Sequence, residues 1–167
     1  HGGIDKVLRR KSCEILSKLD FDGFAIGGSV GKNREEMAEM LAHTVHHLPE
    51  NKPNHLLGIG DLNSVPLMVP LGIDTFDSAH PTKAARHGLL FTSAGALRLG
   101  KHGNSTNFGK PDPACTCYTC ENYTLAYLTH LFKAHEPAVL TLATIHNVSF
   151  MVNWMKQYRA AILQDEI

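Results

Sequence analysis

No apolar run in this sequence approaches the ~20 residues that a helical membrane span requires, so a membrane partner is not expected. The chain lacks a basic n-region followed by an apolar h-region, so its four cysteines are expected in a reducing, cytoplasmic compartment, as thiols or metal ligands rather than disulfides. It also lacks net charge, with 16 Lys+Arg against 16 Asp+Glu, a balance that argues neither for nor against nucleic acid. Acidic residues are absent between Asp77 and Asp112, where Lys83, Arg86, Arg98, Lys101 and Lys110 stand with His80, His87 and His102. Such a stripe is either a phosphate-contacting surface or a solvated loop face. The chain has no initiator Met and opens at His1-Gly2-Gly3, so it is expected to be a piece of something longer.

What is present suffices for one core of ordinary size: 167 residues, 43% of them hydrophobic. The most informative feature is Cys115-x-Cys117-x-x-Cys120, followed after 25 intervening residues by His146. Three thiolates from a tight loop and one imidazole satisfy a tetrahedral zinc ion and leave no position for a catalytic water, so the metal is expected to be structural. Core packing or a disulfide pair is the alternative, but three Cys within six residues is a rare packing solution. An iron–sulfur cluster would more commonly take a fourth Cys. Cys13 stands apart and reads as a buried thiol.

Along the chain, residues 5–19 place Val7, Leu8, Ile15, Leu16 and Leu19 at helical spacing. Phe24–Ile26 reads as a short strand ending at Gly27-Gly28. Asn33 and Glu36 form an N-x-x-E capping box ahead of Met37, Met40, Leu41, Thr44, Val45 and Leu48. His55 to Gly60 reads as a second strand, Ser64 as the cap of a short helix limited by Pro66 and Pro70, and Ile73 to Ser78 as a third strand. Alternating strands and helices give a parallel sheet with right-handed crossovers. Then the pattern breaks. Leu89–Thr92 and Ala96–Leu99 read as a hairpin, with a helix near 121–135 and a last one over Asn147–Leu163, whose Val148, Met151, Val152, Met155 and Ile162 share a face.

Gly27-Gly28, Gly58-x-Gly60 and Asp77 all fall at carboxyl ends of expected strands, the rim where a parallel α/β barrel builds its site. Closure takes eight strands and only three or four are here, so a half barrel with exposed edges again suggests a larger protein. The division expected is 1–88 for the partial barrel, 89–146 for the hairpin and an inserted zinc-binding subdomain, and 147–167 for the final barrel helix.

Taken together, GFAIGG (23–28), LLGIG (56–60), DTFDSAHPTKAARHG (74–88), CTCYTC (115–120) and TIHN (144–147) resemble one family, the tRNA-guanine transglycosylases, or queuine tRNA-ribosyltransferases. The resemblance runs the length of the chain, is of the bacterial type, and covers the carboxyl-terminal half of a typical TIM-type (β/α)8 member. It implies exchange of guanine at the anticodon wobble position of tRNA for a 7-deazaguanine, preQ1 or queuine, in queuosine modification. Asp77 matches the nucleophile that would attack C1′ of the ribose and hold the RNA covalently, as a retaining glycosidase holds its sugar. Asp74, three residues away, is expected to face the other side and be structural.

The resemblance also implies that Gly27 and Gly28 offer backbone to the purine. His1 stands where members carry Gln against the base, and Leu57 where they carry Met on the pocket wall. Gly58, Ile59, Gly60, Asp61, Leu62, Asn63 and Ser64 match one RNA-contacting stretch. Thr82, Lys83, Ala84, Ala85 and Arg86 match another, with Lys83 replacing the usual Arg. The zinc ligands would be Cys115, Cys117, Cys120 and His146. The complete protein is expected to be a homodimer. The family's second aspartate, its general acid/base, has no counterpart here, so this chain alone is expected to be inactive. A non-catalytic tRNA-binding subunit and a zinc-bearing module of the same family remain the alternatives.

Overall fold

The computed structural model describes residues 1–166; Ile167, the last residue of the expected 147–167 segment, lies outside the described residues. The chain is mixed α/β and divides into two compact units, His1–Ala79 and the part from His80 onward.

The first unit runs α1 (Lys6–Leu16), β1 (Phe24–Ile26), α2 (Arg34–Val45), β2 (Asn54–Leu56), the short α3 (Val65–Met68) with a 3-10 turn, and β3 (Thr75–Phe76). The strands pair in the order β1-β2-β3, all parallel, as the strand–helix alternation required. Local caps begin the helices. The Asp5 carboxylate accepts from Val7 N and Leu8 N, and the Asn33 side chain accepts from Glu36 N at 2.8 Å. Glu36 returns its bond to Lys32 N at 2.8 Å rather than to Asn33, so the expected box closes one residue earlier. One sheet face is filled by Phe24, Ile26 and Leu56, with Met37, Leu41 and Leu48 of the α2 segment, Met68 and Ile73.

Three expectations need correction in this unit. The apolar face of α1 points outward: Val7 is 75% and Leu8 53% exposed, while Arg9 and Cys13 are buried. Periodicity finds an apolar face but not its direction; here the hydrogen bonds of Arg9 and the seat of Cys13 in the core set the rotation. β3 spans two residues rather than six, because its partner β2 spans only three before the chain turns at Leu57-Gly58. Ser64 makes no side-chain cap for α3; Asp61 accepts from Asn63 N and Ser64 N instead, and Ser64 Oγ donates to Asp61 at 2.6 Å.

The second unit contains α4 (His80–Arg86), the antiparallel hairpin β4 (Leu89–Thr92) and β5 (Gly95–Arg98), then α5 (Tyr118–Asn122), α6 (Leu125–Lys133) and α7 (Ala138–Leu163). The single helix expected near 121–135 is two, because Thr124 breaks the run and caps α6 by accepting from Tyr127 N. The last helix starts at Ala138, not Asn147. Pro137 sits just before it, where its missing N–H costs nothing.

The buried stripe of α7 is Val139, Leu142, Ala143, His146, Asn147 and Met151, whereas Val148 and Val152 of the expected face are 42% and 48% exposed. By length and composition alone α7 could cross a membrane. Its stripe instead packs against α4, α5, α6 and β4, with two polar residues at its centre. Asn147 satisfies its whole amide there, accepting from Phe91 N at 3.0 Å and donating to Pro81 O at 3.0 Å and Leu89 O at 2.9 Å.

Candidate active-site face and metal centre

Strand register builds the first site. Ala25, His55 and Thr75 are neighbours across the sheet, on the face opposite Phe24, Ile26 and Leu56. Two residues further along each strand come Gly27, Leu57 and Asp77, returned to the same open face by the two-residue side-chain period. Gly27 and Leu57 touch: a methyl group on Gly27 would lie 2.8 Å from Leu57 Cδ1. Gly28 has φ +76°, which favours glycine, and a Cβ there would come 3.4 Å from His1 Nδ1. His1, Gly27, Gly28 and Leu57 are thus adjacent in space.

The two glycine segments are tied from behind by Arg9, only 3% exposed. Its Nε donates to Gly3 O at 2.7 Å, and its Nη2 to Gly27 O at 3.1 Å and Ser29 O at 2.9 Å. Composition shows a charged residue in an amphipathic helix and nothing more; this clamp is visible only in three dimensions.

Asp77 is exposed on the same face. Gly58 N–H donates to Asp77 Oδ1 at 2.9 Å, and His55 Nε2 stands 3.1 Å from the same oxygen. These bonds, the Gly58 amide first and His55 second, hold the carboxyl below its ordinary range and keep it ionised near neutrality. His55 was missed by motif reading, although alternation along β2 places it on the Asp77 face. Asp74 is structural: its carboxylate accepts from Asn54 N at 2.7 Å, and its own N–H donates to Asn54 O at 2.9 Å.

In the Gly58–Ser64 stretch, Gly58, Leu62 and Asn63 show much or part of their surface, whereas Gly60 and Ser64 are buried. Asp61 pairs with Arg34 at 3.4 Å. In the second unit, α4 turns Lys83 and Arg86 to solvent and sends Ala84 and Ala85 inward; Thr82 lies between these extremes. Arg98, Lys101, Lys110, His87 and His102 are also exposed. Asp112, which closes the acid-free stretch, is buried and accepts from Ser93 N, Ser93 Oγ and Ala114 N, pinning the hairpin turn to the cysteine loop.

That loop and α7 build the metal centre. The ligand atoms of Cys115, Cys117, Cys120 and His146 all lie within 4.8 Å of one another, and all four residues are buried. His146 Nδ1 is 3.5 Å from Cys117 Sγ and 3.3 Å from Cys120 Sγ, close to the ~3.5 Å edge of a ZnS3N tetrahedron. His146 Nε2–H donates to Phe91 O at 2.7 Å, which leaves Nδ1 as the lone pair aimed at the thiols. Burial lowers the His146 pKa and favours the neutral ligand form. The same burial raises the Cys115 and Cys120 thiols, a penalty that a bound dication offsets by stabilising thiolates. The donor set, its tautomer and its spacing fit structural zinc. His146 reaches the site from within α7 rather than from a loop ahead of it.

Comparison with known proteins points to one family. A family model described as queuine tRNA-ribosyltransferase matches residues 1–167. The queuine tRNA-ribosyltransferase of Protochlamydia amoebophila is 55% identical over 167 residues, covering 100% of this chain and 43% of that protein. Those of Chlamydia caviae and Chlamydia felis are each 49% identical over 168 residues, covering 100% of this chain and 45% of theirs. The chain therefore spans less than half the length of these curated relatives.

Proposed function

The chain belongs to the queuine tRNA-ribosyltransferase family, and from that premise we propose that it forms the carboxyl-terminal part of a tRNA-guanine transglycosylase whose nucleophile is Asp77. The observation that carries this reading is an ionised, exposed carboxylate on the same sheet face as Gly27 and Leu57, next to a glycine platform. In the complete protein this face is part of a (β/α)8 barrel, to which 1–88 and the last helix belong and into which the hairpin and the cysteine loop are inserted.

A carboxylate oxygen of Asp77 forms a bond to ribose C1′ while the C1′–N9 bond breaks and its electron pair leaves on guanine. An acid elsewhere in the complete protein supplies the proton that guanine takes up. An incoming 7-deazaguanine, preQ1 or queuine, deprotonated by the same group, then forms the new bond to C1′, and the pair of the C1′–O bond returns to Asp77. Two displacements retain the configuration. Gly27 and Gly28 give the flat base backbone to lie against, with His1 and Leu57 bordering it.

Lys83 and Arg86 contact the anticodon loop, chiefly its phosphates, and the exposed part of 58–64 is a further RNA-contacting stretch. Zinc, held by Cys115, Cys117, Cys120 and His146, supplies structural cross-linking. The complete enzyme works as a cytoplasmic homodimer.

Asp77→Asn in the full-length protein tests the reading. The variant is expected to fold and bind tRNA, yet neither exchange labelled guanine nor form a denaturant-resistant RNA adduct. Near-normal exchange would overturn it.

A further inference from the structure

We propose that Thr75 and His55 form a positioning relay that commits Oδ1 of Asp77 to the protein and leaves Oδ2 as the oxygen that attacks the ribose; this rests on the reading of Asp77 as nucleophile.

Thr75 and His55 are cross-strand partners on the open face. Thr75 Oγ1 lies 2.8 Å from His55 Nδ1, and His55 Nε2 lies 3.1 Å from Asp77 Oδ1. A hydroxyl that donates to Nδ1 leaves an imidazole proton on Nε2, where it is donated to the carboxylate. Gly58 N–H donates to the same oxygen at 2.9 Å. Two donors from two directions fix the plane of the carboxylate, and both end on Oδ1. The other acids nearby in the sequence are engaged elsewhere, Asp74 with Asn54 N and Asp61 with Ser64 and Arg34. His55 is a titratable group bonded to Asp77.

This asymmetry has a use in each half of the exchange. During attack, hydrogen bonds to Oδ1 stabilise the ionised carboxylate and hold Oδ2 at one angle to C1′, lowering the entropy lost in reaching the transition state. In the covalent intermediate, Oδ1 becomes the carbonyl oxygen of the ester. When the second base displaces the carboxylate, the electron pair of the C1′–Oδ2 bond returns to it, and charge builds on Oδ1 where Gly58 N–H and His55 Nε2–H already point. His55 touches no substrate in this scheme. It acts through Asp77.

The test is single-turnover formation of the denaturant-resistant tRNA adduct by full-length protein across pH, with Asp77→Asn as control. His55→Leu removes the donor, His55→Gln restores one at similar reach, and Thr75→Val removes only the hydroxyl that orients the ring. His55 has a side chain 32% exposed, so the variants are expected to keep native melting and tRNA binding. Adduct formation by His55→Leu should slow about tenfold, as for loss of one hydrogen bond to a charged group. Its acid limb should move to higher pH, because the ionised carboxylate has lost a donor. His55→Gln should recover most of both, and Thr75→Val should show a smaller loss of the same kind. A His55→Leu rate and acid limb equal to wild type would overturn the relay while a silent Asp77→Asn left the nucleophile standing. So would a slow His55→Leu whose acid limb is unmoved and which Gln does not rescue. Adduct formation by Asp77→Asn would instead overturn the nucleophile reading itself.

Discussion

The two units solve opposite problems with polar groups. The first holds its proposed nucleophile on an open sheet face, where Asp77 has a side chain 57% exposed and takes two hydrogen bonds on one oxygen. The second buries the polar groups at its centre: His146 and Asn147 are 0% exposed and each is bonded on both sides. An exposed carboxylate contributes little to stability and stays available to react. A buried imidazole or amide is costly unless every atom is paired, and once paired it holds the elements around it in place. Damage to the first unit should therefore appear in rate, and damage to the second in folding.

The largest effect should come from the metal. Cys117→Ala, or chelation of the wild type, should lower zinc content from about one per chain and depress the melting temperature markedly, since a structural zinc site contributes directly to folding free energy. Atomic absorption and calorimetry measure both. Full metal content in Cys117→Ala would remove that residue from the site.

Asn147→Ala should come next. It removes the side-chain partner of Phe91 N–H and Leu89 O and one bond to Pro81 O inside the second unit, at a cost of about 3 kcal/mol in denaturant unfolding. Zinc should remain bound if α7 still forms.

In the first unit, Arg9→Gln should weaken use of the incoming base more than turnover, because the clamp holds the backbones of Gly3, Gly27 and Ser29. A rise of KM for the base of about tenfold is expected from disordering a preorganised platform, with Arg9→Lys intermediate. Equal losses in kcat and KM for tRNA would show a global defect instead.

The smallest effects on stability should come from the exposed stripe. Lys83→Ala and Arg86→Ala should stay within about 0.5 kcal/mol of wild type in unfolding. Each should reduce the salt slope of tRNA binding by about one if it touches phosphate. Unchanged affinity and slope in both would make the stripe only a solvated surface.

Much of this contrast was legible residue by residue. The cysteine spacing named a metal and its ligands, because thiolate coordination tolerates few arrangements of chain. The strand–helix alternation gave three parallel strands, with Gly27-Gly28, Gly58-x-Gly60 and Asp77 toward their carboxyl ends. Helix orientation was not legible. α1 and α7 carry apolar residues on the sides that the fold leaves exposed, and their buried faces are marked by Arg9, Cys13, His146 and Asn147, which apolar periodicity ignores. The partners of Asp77 were equally hidden, since His55 and Thr75 meet it only through pairing between strands distant along the chain.

The sequence by itself therefore determined the donor set for zinc, the parallel pairing of the strands and the family, since each depends on residue type at a short spacing or on a local period. Which helix faces are buried, which atoms clamp the glycine segments and which oxygen of Asp77 is held were decided only by tertiary structure. Those contacts, the Arg9–Gly3 bond aside, join residues 18 to 66 positions apart, and a hydrogen bond a few ångströms long exists only once the packing has brought its two ends together.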